Sequence, residues 1–267
     1  SRTDNNSELG VHGSKYKAVA PKHMIEAARK IILRSELDTD GIRETIRTSH
    51  NGSRTFVKYD LPAHSYVTPD GDKAHLNLLA ITSFDSSWPF MISVAATQMA
   101  CTNLQVFTSG EIAVYKSKHT LGLDIDRGAR IIVKALDTFE SQKDLWAKWN
   151  NTTISIEEAF EFFVDAAGCR DSVNKLREDT PAFSAMGVIN NLPRRNKNLE
   201  YMFKVFNEIY VGRLGKNLWA VYNAMTDWAT HAPASQRSQI NIASIEQDRA
   251  AKVRETINKS IEFKRAA

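Results

Sequence analysis

Cys101, His119 and Asn223 are the three groups that a thiol hydrolase would use: a nucleophile, a base to activate it and an amide to orient the base. Asn223, Asp227 and His231 follow one another at i, i+4 and i+8, so a helix would line them along one face. Asp227 and His231, one turn apart, could there share a metal ion or work as an acid/base pair. Each set also has a plainer reading. Cys101 closes an apolar run, where a free cysteine usually behaves as a small buried hydrophobe. No further ligand stands at a recognisable spacing around Asp227 and His231, and a polar helical stripe commonly hydrogen-bonds a neighbouring segment. The stripe is therefore expected to be structural and to bond the segment around His119. No glycine-rich phosphate loop and no His/Glu zinc-protease motif is present. His12, His23, His50, His64 and His75 are isolated and are expected at the surface or in turns.

The basic residues form the most function-like pattern. Arg43, Arg47, Arg54 and Lys58 share one side of an expected hairpin, with Phe56 among them. Lys116, Lys118, Arg127, Arg130, Arg194, Arg195 and Lys197 could extend the same field. Cations that follow a phosphate backbone, beside an aromatic ring on which bases stack, are what single-strand binding needs. The alternative is a solvated outer sheet face. The bulk charge does not decide: 35 Lys and Arg against 31 Asp and Glu give +4, compatible with a polyanionic partner and equally with an ordinary basic protein.

These side chains need a scaffold, and the hairpin is its clearest piece. Asn51-Gly52 is the dipeptide favoured where both central residues of a two-residue turn need positive φ. With that turn, Ser49 faces Arg54, Arg47 faces Phe56, Thr45 faces Lys58 and Arg43 faces Asp60 on the basic side. The other side carries Ile46 opposite Val57, Glu44 opposite Tyr59 and Ile42 opposite Leu61, and is expected to face the core. Thr68-Pro69-Asp70-Gly71 turns into a strand over 74–84, and the turn around Trp88-Pro89 leads to one over 90–100. A helix opens at Pro21 and covers this meander, and a further strand is expected over 112–117.

From about Ile125 the apolar period becomes helical. Ser155-Ile156-Glu157-Glu158 is a capping box, and Gly168 stands past the end of the helix it starts. Residues 170–198 read as a long exposed connection, followed by helices over 199–211 and 216–230. A last charged helix from Ile240 carries a thin apolar stripe, which suits a subunit contact better than a core position. The fold class is α+β: an antiparallel β-meander covered by helices, followed by a helical second half. The chain is expected to divide into 1–124 and 125–267, both halves packing on one core. At 42% hydrophobic residues the sequence can supply that core. Two cysteines cannot build a disulfide framework, and no apolar run approaches the ~18 residues that cross a bilayer. The expectation is a soluble, cytoplasmic protein.

Several segments together resemble a phage- and plasmid-borne family of unknown function, domain of unknown function 932. They are Arg2-Thr3-Asp4 through Leu9-Gly10-Val11 with Tyr16-Lys17, then Ala100-Cys101-Thr102-Asn103 and Lys118-His119-Thr120. Leu218-Trp219-Ala220-Val221-Tyr222-Asn223-Ala224-Met225-Thr226 with Asp227 and His231 completes the set. The resemblance implies a mobile-element origin rather than a chemistry, and it makes Cys101, Asn103, His119, Asn223, Asp227 and His231 structural motif residues. The expected architecture is also similar to that of phage single-strand annealing proteins of the RecT, Redβ and Erf type, which assemble into rings or filaments. The leading expectation is thus a phage-encoded protein of replication or recombination that binds and anneals single-stranded DNA, or RNA, as a homo-oligomer. It assigns no catalytic residue, metal or cofactor. The rivals are a metal- or thiol-dependent hydrolase or nuclease using Cys101, His119, Asn223 and Asp227, and a virion or scaffold protein.

Overall fold

The structure, a computed structural model, describes residues 4, 6, 8–10, 19–69, 71–98, 104–106, 114–117, 124–181, 184–234, 242–260 and 263. Pro21 starts α1 (Pro21–Arg34), where its missing N–H costs nothing. Met24, Ala27, Ala28, Ile31 and Ile32 form its buried stripe. The sheet then follows as β1 (Arg43–Ser49), β2 (Arg54–Val67), β3 (Lys73–Ser83), β4 (Phe90–Gln98), β5 (Leu104–Val106) and β6 (Val114–Ser117). All pairings are antiparallel in the order β1-β2-β3-β4, and β5 and β6 both pair with β4 at its two ends. The long β2 shifts register between Leu61 and Ser65. Pro62 lies in that interval and has no N–H to offer a ladder, so the strand bulges there.

The helical half comprises α2 (Ile125–Asn150), α3 (Ile156–Ala167), α4 (Arg170–Asp179), α5 (Ala185–Asn191) and α6 (Lys197–Val205). A π turn over Phe206–Tyr210 joins α6 to α7 (Val211–Leu214), and α8 (Leu218–His231) and α9 (Ile242–Lys259) complete it. The capping box at Ser155 and Glu158 is present, and Gly168 ends α3 in the left-handed region at φ 66°. The expected exposed connection over 170–198 is corrected. It folds into α4 and α5, short helices that each turn one or two apolar residues inward, Val173 in α4 and Ala185 with Val188 in α5. Arg170 and Arg177 both reach Glu161 of α3 and tie α4 down, an anchoring that hydrophobic periodicity does not record.

One core runs through both halves. It joins α1 and the inner sheet residues Val57, Tyr59, Leu61, Leu76, Leu78 and Ala80 to Trp146, Trp149, Phe160, Phe163, Trp219 and Tyr222 of the helices. Aromatic rings carry the junction: Tyr66 of β2 stacks on Trp146 at 5.4 Å, and Trp146 lies 5.5 Å from Trp219. Ile42 and Ile46, expected on the core face, are 38% and 48% exposed at the edge strand, where α1 sends the Arg29 guanidinium to Glu44 of the same face. The thin stripe of α9 is corrected as well. Ala250, Val253 and Ile257 are buried within this core, so α9 spends its apolar face inside the chain.

Gly128 shows how closely α1 and α2 approach. A Cβ there would lie 2.5 Å from Ile31 Cδ1, and Ile31 is fully buried. Gly→Ala in a helix normally stabilises by up to about 1 kcal/mol. Gly128→Ala should instead destabilise by about 1–2 kcal/mol through overpacking. Adding Ile31→Val, which removes the obstructing methyl, should recover most of that loss in urea unfolding.

Candidate functional site

The hairpin register is the one its turn dictates: Arg43 pairs with Asp60, Thr45 with Lys58, Arg47 with Phe56 and Ser49 with Arg54. Asn51 and Gly52 take φ of 56° and 88°, and Ser53 N–H donates to the His50 carbonyl at 3.0 Å. The four cations therefore share one face of β1 and β2. The same register extends across the sheet, where Phe56 pairs with Ile81, Ile81 with Met91 and Met91 with Lys116. Arg47 and Lys116 thus stand at opposite ends of one row of five strands.

Carboxylates offset much of that charge. Arg54 Nε donates to Asp85 Oδ2 at 2.7 Å, and Lys58 Nζ lies 3.0 Å from Asp60 Oδ1. Arg47 Nη1 donates to both oxygens of Glu246 in α9, at 2.9 and 2.7 Å. Arg43 is exposed and makes no ion pair among the described residues. Partial burial would raise the Asp85 carboxyl, but hydrogen bonds from Ser87 and Arg54 reverse this and hold it well below the usual range.

The aromatic stands on the face that the sequence gives it, but it is buried there. Phe56 is 5% exposed and packs with Leu79 and Ile81 beneath Trp88 and Met91, so its ring cannot serve as an open platform for a base. Alternation assigns a face, but it does not say what else lies on that face. Trp88, in the turn before β4, is half-buried, and the Arg54 guanidinium stands 5.5 Å from its ring centre. That residue was missed because a turn has no period. Past Lys58 the face becomes a buried polar patch of Asp60, His75 and Asn77, with His75 Nε2 4.0 Å from Asp60 Oδ1. His75, expected at the surface, is 5% exposed, and burial lowers its pKa.

The remaining cations belong to other layers. Arg127 and Arg130 are exposed on α2, which packs on α1 against the inner side of the sheet. Arg194, Arg195 and Lys197 are exposed around the start of α6, and Arg195 is held by Glu200 at 2.7 Å. Lys118, His119, Cys101 and Asn103 lie outside the described residues.

Asn223, Asp227 and His231 do share a face of α8, yet they do not converge. Asp227 accepts hydrogen bonds from the hydroxyls of Tyr201 and Tyr210, both at 2.7 Å. The π turn between α6 and α7 brings Tyr210 into place for this. Burial and Asp227 together raise the Tyr201 pKa far above the ordinary phenol value. Asn223 is fully buried and donates to the Trp219 carbonyl at 2.9 Å, while His231 is exposed at the helix end. Among the described residues no three His, Cys, Asp or Glu side chains are grouped to hold a metal ion. None of the described helices is long and apolar enough to cross a membrane.

No curated protein and no solved structure matches the chain. A family model, described as Domain of unknown function (DUF932), matches residues 8–259. That span takes in the hairpin, the Cys101–Asn103 and Lys118–Thr120 motifs and the whole of α8, and the chain belongs to this family.

Proposed function

We propose that this protein binds single-stranded nucleic acid, DNA in the first instance, along the outer face of the β1–β2 hairpin. It does so as a homo-oligomer, without a cofactor, and serves replication or recombination of a mobile element in the host cytoplasm. One observation carries the reading: the register sets Arg43, Arg47, Arg54 and Lys58 on a single sheet face, with the Trp88 ring under one of their guanidinium groups. Cations supply phosphate contacts and the indole a surface for a base.

Fluorescence anisotropy with oligo-dT and with a duplex of equal length, over a salt series, tests it. The single strand should bind more tightly. Arg43→Ala and Lys58→Ala should each weaken binding and flatten the salt dependence by about one unit of slope. Trp88→Ala should cost about 1–3 kcal/mol of affinity with the slope nearly unchanged. If Arg43→Ala, Arg47→Ala and Lys58→Ala all match the parent across the series, the hairpin face is not the interface.

A further inference from the structure

Among the described residues, Asp85 and Asp60 neutralise their cations from within the sheet region, but the partner of Arg47 comes from far away. Glu246 sits in the second turn of α9, 199 residues along the chain. Its carboxylate presents two oxygens to Nη1, as a phosphate would. The Glu246 side chain is 16% exposed and that of Arg47 is 45% exposed, so the guanidinium remains open to solvent on its other side. The body of α9 is fixed independently of this pair. Arg249 donates to the carbonyls of Trp228 at 3.2 Å and Ala232 at 2.7 Å, and Val253 and Ile257 lie in the core.

We propose that the first turns of α9 form a latch on the nucleic-acid face, with Glu246 holding Arg47 in the free protein and a phosphate of the bound strand displacing it. This regulation rests on the interface proposed above. A displaced Glu246 does not become an isolated buried charge, because Arg249 and His231 both lie close enough to favour its ionised form. The exchange therefore swaps one anion for another on Arg47 and re-aims the carboxylate toward the end of α8. Burial raises the Glu246 pKa, and Arg47 opposes it most strongly.

Binding of labelled oligo-dT to the full chain tests the latch. Glu246→Gln keeps the shape and removes the competing charge. It should bind about three- to tenfold more tightly than the parent, with a salt slope larger by about one. Arg47→Ala should bind more weakly, and the double variant should match Arg47→Ala. Hydrogen exchange on the unmutated chain gives a second readout: amides of 242–249 should lose protection when oligo-dT is added. Parent-like affinity in a folded Glu246→Gln, with Arg47→Ala still weakened, overturns the latch and leaves the interface standing. Parent-like binding by Arg47→Ala, Arg43→Ala and Lys58→Ala overturns the interface and the latch with it. Should Glu246→Gln fail to fold, unchanged exchange over 242–249 on saturation of the parent overturns the latch.

Discussion

Replacing Asp227 by alanine should cost about 2–5 kcal/mol of stability. Two tyrosine hydroxyls lose their acceptor at once: Tyr210, 1% exposed, and the half-buried Tyr201. Each buried donor left without a partner costs on the order of 1–3 kcal/mol. A domain of this kind is stable by only about 5–15 kcal/mol, so the loss is a large share of the whole. Asp227→Asn should be milder, about 1 kcal/mol, since the amide oxygen can still accept one hydroxyl and the amide nitrogen can donate to the other. Tyr210→Phe in the Asp227→Ala background should restore part of the loss, because it removes an orphaned donor. Urea unfolding of the four proteins checks this. A fully stable Asp227→Ala protein would return Asp227 to consideration as a group that acts on a substrate.

The second large effect concerns Phe56. Its ring fills the small cluster with Leu79 and Ile81 on the outer side of the sheet. Phe56→Ala should destabilise by about 3 kcal/mol, the usual order for emptying a buried phenylalanine site. It should not weaken binding of oligo-dT at a temperature where the variant is still folded. Trp88→Ala should show the opposite balance, a clear loss of affinity with a smaller drop in melting, since its half-buried ring also covers the cluster. If Phe56→Ala lost affinity at unchanged stability, the ring would have to be reached by the base after all, and the cluster would have to open on binding.

Phe56 and the hairpin show where the sequence could be read and where it could not. The register over 43–60 was legible because a two-residue turn with positive φ at both centres leaves only one pairing, and alternation then fixes every face. The capping box of α3 was legible for the same local reason. The burial of Phe56 was not, since it depends on β3 and β4 delivering Leu79, Ile81 and Met91 to the same face. Nor could α4 be seen, because two arginines on Glu161 hold it where an apolar stripe would normally do so. Spacing set the Asn223, Asp227 and His231 stripe on one face of α8. Its partners, Tyr201 and Tyr210, are defined only by how α6 and the π turn pack on that helix. Of the carboxylates that balance the hairpin, Asp60 was already legible in the register, while Asp85 and above all Glu246 come from outside the hairpin and were hidden for a similar reason.

The place of α9 in the chain bears on how the protein comes off the ribosome. Twelve residues of α8 are buried, and α9 supplies part of their cover through Ala250, Val253 and Ile257. Until residues near 257 have emerged, the nascent chain carries an aromatic-rich helix with one side bare. Closing a contact across 199 residues is slow compared with forming the hairpin, whose strands are neighbours in sequence. Truncation by about 25 residues should therefore yield a chain that forms its meander yet is retained by chaperones or aggregates, whereas a chain that keeps α9 can close its core.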